Sequence, residues 1–257
     1  MLPNPLLEQL SQLKFDGMKI ALREQLAMPD ITRLPFDERL ALLLDREITV
    51  RNQRRVEQRL RRAKLKQTAC IEQIDFNVAR GLDKRLILSL ADCTWVKRHL
   101  NILLVGATGT GKTYLACALA HKACLENYSA AYVRLPRLFQ ELLTAKGDGR
   151  YSRVMQQLAK LDVLILDDWG FAPFTADQCR DLLEILDDRH TRRSTIVTSQ
   201  FPIKHWHDTL GQPTLADAIL DRLVHNAYKI ELKGDSLRRN STPMVTETLV
   251  FNTEVPS

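Results

Sequence analysis

The segment GATGTGKT, Gly106 to Thr113, follows the apolar run NILLV and precedes the Ala- and Leu-rich stretch YLACALAHKACL. Three glycines in eight residues, set between a strand-like run and a helix-like run, leave few folds open to such a chain. The spacing fits G-x-x-x-x-G-K-[ST], in which the backbone wraps a phosphate chain while its N–H groups and the next helix's N-terminus supply partial positive charge. Gly106, Ala107, Thr108, Gly109, Thr110 and Gly111 form the expected cradle, and Tyr114 joins them in the nucleotide-binding set. Lys112 is positioned to reach the β- and γ-phosphates, and Thr113 to ligate Mg2+. The bare pattern arises by chance in about one chain in a hundred of this length, and its strand–loop–helix setting lowers that further.

Beyond residue 99, short apolar runs alternate with amphipathic helical segments, the signature of a parallel sheet covered on both faces. The strands are expected at about 100–105, 130–134, 162–166, 195–199 and 228–232, giving a five-stranded α/β domain over 99–240. The third strand ends in VLILDDWGF. There Asp167 emerges where a carboxylate can hold Mg2+, and Asp168 can orient or deprotonate an attacking water. Such an acid doublet points to hydrolysis of ATP rather than transfer to a small acceptor. The fourth strand ends in TSQ, placing Thr198 and Gln200 as candidates for contact with the γ-phosphate or its water.

The N-terminal part, 1–75, is nearly free of Gly and reads as helices, with 76–98 expected as a linker and 241–257 as a loose tail. In FDERLALLLDREITV, Leu40, Leu43, Leu44 and Ile48 form an apolar stripe at helical spacing. The helix is expected to continue into RNQRRVEQRLRRAKLK, where Arg51, Arg54, Arg55, Arg59, Arg61, Arg62, Lys64 and Lys66 oppose a single acid, Glu57. A solvated face is the ordinary explanation of such a run. Beside a nucleotide site it is also a candidate phosphate-backbone grip. The formal net charge of +6 favours acidic partners, and its uneven placement matters more than its size.

Five cysteines, an odd number without CxxC spacing, argue against a disulfide framework, and Cys117 and Cys124 read as small packing residues. His205 and His207, alternating across Trp206, are expected as loop residues with no ligand role. No apolar run approaches the ~20 residues of a membrane helix, and the opening segment lacks signal-peptide character. A cytoplasmic protein without a membrane partner is the expectation.

The motifs GATGTGKT, LILDDWG, STIVTSQ, AILDRL and GDSLRR, in that order, together resemble the IstB-type transposition helper ATPases. These are relatives of the DnaC helicase loaders in the initiator branch of AAA+ proteins. FDERLALLLDREI, RLRRAK and RGLDK, ahead of the core, fit the same likeness, which spans most of the chain. Residues 136–160, two helices broken at KGDGR, resemble the extra helix of that branch. The resemblance implies an AAA+ P-loop domain behind a small all-helical N-terminal domain, with ATP and Mg2+ as cofactors. It implies Gln200 as the γ-phosphate sensor, Arg222 as an arginine finger reaching a neighbouring subunit, and Arg238 as a second sensor. Arg189, Arg192 and Arg193 compete with Arg222 for its role, and Arg239 with Arg238. AAA+ enzymes more commonly carry Glu where Asp168 stands and Asn where Gln200 stands, which implies slow turnover and a switch-like use of ATP.

The function so implied is ATP-dependent assembly of a homo-oligomer on double-stranded DNA in support of the element's transposase. A DnaC-like helicase loader is the rival within the fold. A P-loop small-molecule kinase and a DNA-bridging protein with a vestigial nucleotide site are rivals of other classes.

Overall fold

The computed structural model describes residues 5–78 and 80–237. Among these, five parallel strands form one sheet: β1 (Asn101–Gly106), β2 (Ala130–Arg134), β3 (Val163–Trp169), β4 (Ser194–Ser199) and β5 (Ala227–Leu232). Their spatial order is β2-β3-β4-β1-β5, so β4 lies between the strands that carry the glycine loop and the acid doublet. Each strand lies near its expected position, and β3 runs on through the acid doublet to Trp169. Runs such as ILLV and VLIL sit in the sheet with every residue of 102–105 and 163–166 buried, as a sheet covered on both faces requires.

One face is covered by α6 (Lys112–Leu125), whose Ala- and Cys-rich side packs on Ile102, Leu104, Val163, Ile165 and Ile196. The other face packs on α7 (Leu135–Gly147), α8 (Tyr151–Lys160), α9 (Ala176–Arg189), α10 (Trp206–Leu210) and α11 (Pro213–Val224). The break between α7 and α8 falls at KGDGR, as expected. Helix α9 starts at a capping box in which Thr175 and Gln178 satisfy each other's backbone amides.

Ahead of the sheet lie α1 (Pro5–Gln12), α2 (Asp16–Ala27) and the 28-residue α3 (Phe36–Ala63). Helices α2 and α3 cross at Gly17, where a Cβ would stand 2.5 Å from the Glu47 Cα. Glu47 is itself buried, accepting from the Met18 amide at 3.1 Å and from Arg51 Nε at 2.5 Å. Most of the expected apolar stripe lies off the packing face of α3: Leu40, Leu44 and Ile48 are 37%, 48% and 56% exposed, while Leu43 is half-buried one turn from Glu47. The buried side is instead set by the Gly17–Glu47 crossing, which rotates the stripe outward.

Within 76–98, expected as a linker, two short helices form. Lys84–Ala91 and Thr94–Lys97 form α4 and α5, and Ile87, Leu90, Cys93, Trp95 and Val96 belong to the same buried cluster as α6. Asp83 caps α4 by accepting from the Arg85 and Leu86 amides. The segment is too apolar to remain in water, and the open face of the sheet offers it a place. Cys93, Cys117, Cys124 and Cys179 are buried free thiols; burial pushes Cys93 and Cys124 up to about 11. Trp206 of the HWH segment is buried against Trp169, ring centroids 4.9 Å apart. No helix among the described residues is long and apolar enough to cross a membrane.

Arg189 is a structural cation. It is 1% exposed and donates from Nη1 to the carbonyls of Leu158 and Leu161 at 2.6 and 2.8 Å, from Nη2 to the Ser194 carbonyl, and from Nε to Thr195 Oγ1. Burial lowers its pKa. Arg189→Met orphans four buried acceptors and is expected to cost about 3 kcal/mol, read as a lower urea midpoint with an unchanged m-value.

Candidate nucleotide site

The glycine loop turns because three of its residues adopt backbone that favours glycine: Gly106, Gly109 and Gly111 have φ of 150°, 85° and 97°. A Cβ on Gly106 would lie 2.2 Å from the Leu232 carbonyl oxygen, so this glycine also permits the approach of β1 and β5. Lys112, the first residue of α6, curls over the loop and donates to the Gly106 and Ala107 carbonyls at 2.7 and 2.8 Å. Thr113 follows and donates from Oγ1 to Asp167 Oδ1 at 3.0 Å.

Asp167 is fully buried at the end of β3. Burial alone raises a carboxyl pKa, but hydrogen bonds from Thr198, Tyr132 and Thr113, with the Lys66 charge, bring this one below its usual range. It therefore remains ionised at neutral pH. Its proton-donating neighbour Tyr132 is raised well above the ordinary tyrosine value, by burial and by that bond.

Asp168 reaches the site through a bulge. Along β3, Val163 and Ile165 face the α6 side, while Leu164 and Leu166 face the other. Strict alternation would bury Asp168 beside Leu166. The register to β4 shifts between Leu166 and Trp169, and Asp168 has φ 63°, an uncommon conformation for a non-glycine residue. The extra residue re-aims the carboxylate to the cavity mouth and lets Trp169 take the core position. There Arg134 Nε, from the end of β2, donates to Asp168 Oδ2 at 2.6 Å. Gln200, just past β4, accepts from Thr108 Oγ1 at 2.8 Å, bridging the fourth strand to the glycine loop.

Lys112, Thr113, Asp167, Asp168 and Gln200 line a cavity of about 420 Å³, together with Asp75, Arg80 and Leu237. That volume suits a small-molecule ligand. Arg80 is buried, donates from Nη2 to the Asp75 carbonyl at 2.7 Å, and its Nε has no partner among the described residues. The residues fit a metal-nucleotide: a glycine-cradled loop and lysine for phosphate, and a threonine hydroxyl beside a carboxylate as hard oxygen donors for Mg2+. Asp167 and Thr113 would hold the ion, which would offset the charge of the phosphates.

A profile described as IstB-like ATP binding protein matches residues 8–243. The chain belongs to this family. It is 48% identical over 240 residues to an insertion-sequence ATP-binding protein of Sinorhizobium fredii, covering 93% of this chain and 98% of that one. It is 33% identical over 252 residues to a protein named for ATP binding in insertion sequence IS21 of Pseudomonas aeruginosa, covering 94% and 95%. Among solved structures, DnaI aligns at TM-score 0.56 and 26% identity over 69% of this chain and 94% of that one. The DnaC helicase loader aligns at TM-score 0.53 and 19% identity over 64% and 97%, a likeness of fold alone. The IstB-like chain thus has the AAA+ fold expected from its motifs.

Other expected site residues of this IstB-like protein are distributed differently. Arg222, on α11, lies near the opposite end of β1 from the glycine loop: its carbonyl accepts from the side chain of Asn101, the first residue of that strand. It donates from Nε to Asp187 at 2.7 Å. Arg238 and its competitor Arg239 lie outside the described residues. Of the basic run, Arg54, Arg55, Arg61, Arg62 and Lys64 are exposed. Arg51 pairs with Glu47 and Arg54 with Asp16. Arg59 is turned inward, donating to the Cys124 carbonyl at 2.9 Å and Asn127 Oδ1 at 2.8 Å. Lys66 is directed into the nucleotide cavity, with Nζ 3.5 Å from Asp167 Oδ2. Tyr132, Arg134 and Arg80 went unmarked as site residues in the sequence, because a Tyr or Arg at a strand end or in a loop carries no spacing signal.

Proposed function

We propose that this chain is a Mg2+-dependent ATPase that assembles as a homo-oligomer on duplex DNA and assists the transposase of its insertion sequence. The observation that carries hydrolysis is the convergence of Lys112, Thr113, Asp167, Asp168 and Gln200 on one cavity. In this reading Lys112 neutralises the transferring phosphoryl group. Asp168 accepts a proton from water at the cavity mouth, and Gln200 reports the γ-phosphate to the fourth strand. The insertion-sequence origin of its relatives supports the transposase as partner. The fold shared with the DnaC helicase loader supports a replicative helicase as the second reading.

The test is ATP turnover by the full chain, alone and with random duplex DNA, followed by capture with the element's transposase or with a replicative helicase. DNA-independent turnover by a monomer, stimulated by a metabolite, would instead indicate a small-molecule kinase. DNA binding indifferent to ATP would indicate a bridging protein.

The exposed arginines of α3 are the proposed DNA grip. Replacing Arg54, Arg55, Arg61 and Arg62 with Gln keeps the helix-forming tendency while removing charge. Each phosphate contact contributes about −0.9 to the slope of log K against log salt. Loss of four contacts therefore flattens the slope by about 3.6 per subunit. ATP turnover without DNA is expected to persist. An unchanged slope, read by fluorescence anisotropy across a salt series, returns the segment to a solvated face.

A further inference from the structure

The basic run ends where the chain turns into the core. Helix α3 stops at Ala63, which is fully buried, because Lys64 adopts left-handed backbone with φ 47° and ψ 42°. Leu65 then packs on the α6 side of the sheet, and Ala69 is fully buried beyond it. Between them lie Lys66 and Gln67, which line the same cavity as Thr113. Leu65 and Ala69 anchor this stretch in the cluster built on the helix that follows the glycine loop, and the Lys66 side chain reaches Asp167.

The Asp167 carboxylate has two oxygens with different company. Oδ1 accepts from Thr113 and Thr198, while Oδ2 accepts from Tyr132 and faces the Lys66 ammonium at 3.5 Å. Lys66 thus places a positive charge beside this buried carboxylate. Its own side chain is 40% exposed, against 1% for Asp167, so it can swing into solvent at little cost in burial.

We propose that Lys66 is a positioning residue of the nucleotide site that competes with Mg2+ for Asp167, and yields when a metal-nucleotide binds. The proposal rests on the reading of this cavity as a metal-nucleotide site. Its basis is geometric: one cation already stands on the carboxylate that would hold the metal, and two positive charges on one carboxylate repel. Lys66 then leaves Asp167 by side-chain rotation, with Leu65 and Ala69 staying packed in that cluster. The same residue would otherwise be counted with the arginines of α3 proposed to face DNA.

The test is a Mg2+ titration of the binding of a fluorescent ATP analogue to the full chain, read by fluorescence without turnover. Lys66→Gln is expected to lower the half-saturating Mg2+ concentration about three- to fivefold, the scale of a half-exposed ion pair. Lys66→Arg should restore the parent midpoint, and Lys64→Gln, on the exposed turn two residues earlier, should not move it. An unchanged midpoint in Lys66→Gln overturns the proposal. A raised midpoint, or weakened binding at saturating Mg2+, also overturns it by making Lys66 a phosphate ligand. Failure of the parent chain to bind the analogue with Mg2+ strikes the nucleotide-site reading itself. A matching thermal melt shows that the variants are folded.

Discussion

Asp168→Asn is expected to lower ATP turnover about 10²- to 10⁴-fold, the usual contribution of a positioned general base, while nucleotide binding persists. The structure supports this separation. Lys112, Thr113 and Asp167 are the proposed phosphate and metal groups of the cavity, whereas Asp168 is partly exposed on its lining and held by Arg134 at 2.6 Å. Asn preserves the shape and the bulge but cannot take a proton from water. The variant should therefore trap the ATP state and show undiminished assembly on DNA in sedimentation with ATP. By contrast, Lys112→Ala removes a group bonded to the loop carbonyls and should weaken nucleotide binding as well. If Asp168→Asn turns over ATP at the parent rate, the base is another group.

Arg222→Ala is expected to reduce turnover by about 10³-fold or more in the assembled state, the scale of an arginine finger supplied in trans. Its location suits the proposed action on a neighbour rather than on its own cavity. Along β1, from Asn101 to Gly106, five steps of ~3.3 Å separate the end near Arg222 from the glycine loop, roughly 16 Å. A guanidinium there cannot serve its own cavity. Loss of its ion pair with Asp187, whose side chain is 63% exposed, should change stability by only about 0–1 kcal/mol. A large kinetic effect with a small thermal effect therefore marks a finger rather than a structural contact. Mixing provides the decisive measurement. Arg222→Ala subunits keep an intact cavity, and Lys112→Ala subunits keep the finger, so the mixture should recover turnover that neither has alone. Absence of recovery, or a monomer at all concentrations with ATP and DNA, removes the basis for the role. Arg189 is no longer a competitor, since its guanidinium is consumed by buried carbonyls.

Several elements were legible because local chemistry admits few alternatives. The GATGTGKT loop needs backbone torsions that glycine favours, and the structure uses them at Gly106, Gly109 and Gly111. The buried strands have to be runs of branched apolar residues, since both faces of the sheet are covered. The break between α7 and α8 is written in KGDGR. The Asp167 position follows from a carboxylate at the end of such a run.

Other features depend on partners far along the chain. Nothing local in FDGMKIALR or LALLLDREI indicates that Gly17 and Glu47 touch, yet that contact decides which side of α3 faces water. The helices at 84–97 read as a linker because their burial depends on an open sheet face formed by residues beyond 100. Asp168 points at the cavity because the β3–β4 register slips, a property of two strands together. The basic run from Arg51 to Lys66 shows the division most clearly. Its composition announces charge, and helical periodicity distributes that charge around an axis. Only the tertiary fold turns Arg59 toward the end of α6 and Lys66 toward Asp167, because charge is a local property of a side chain and its partner is not.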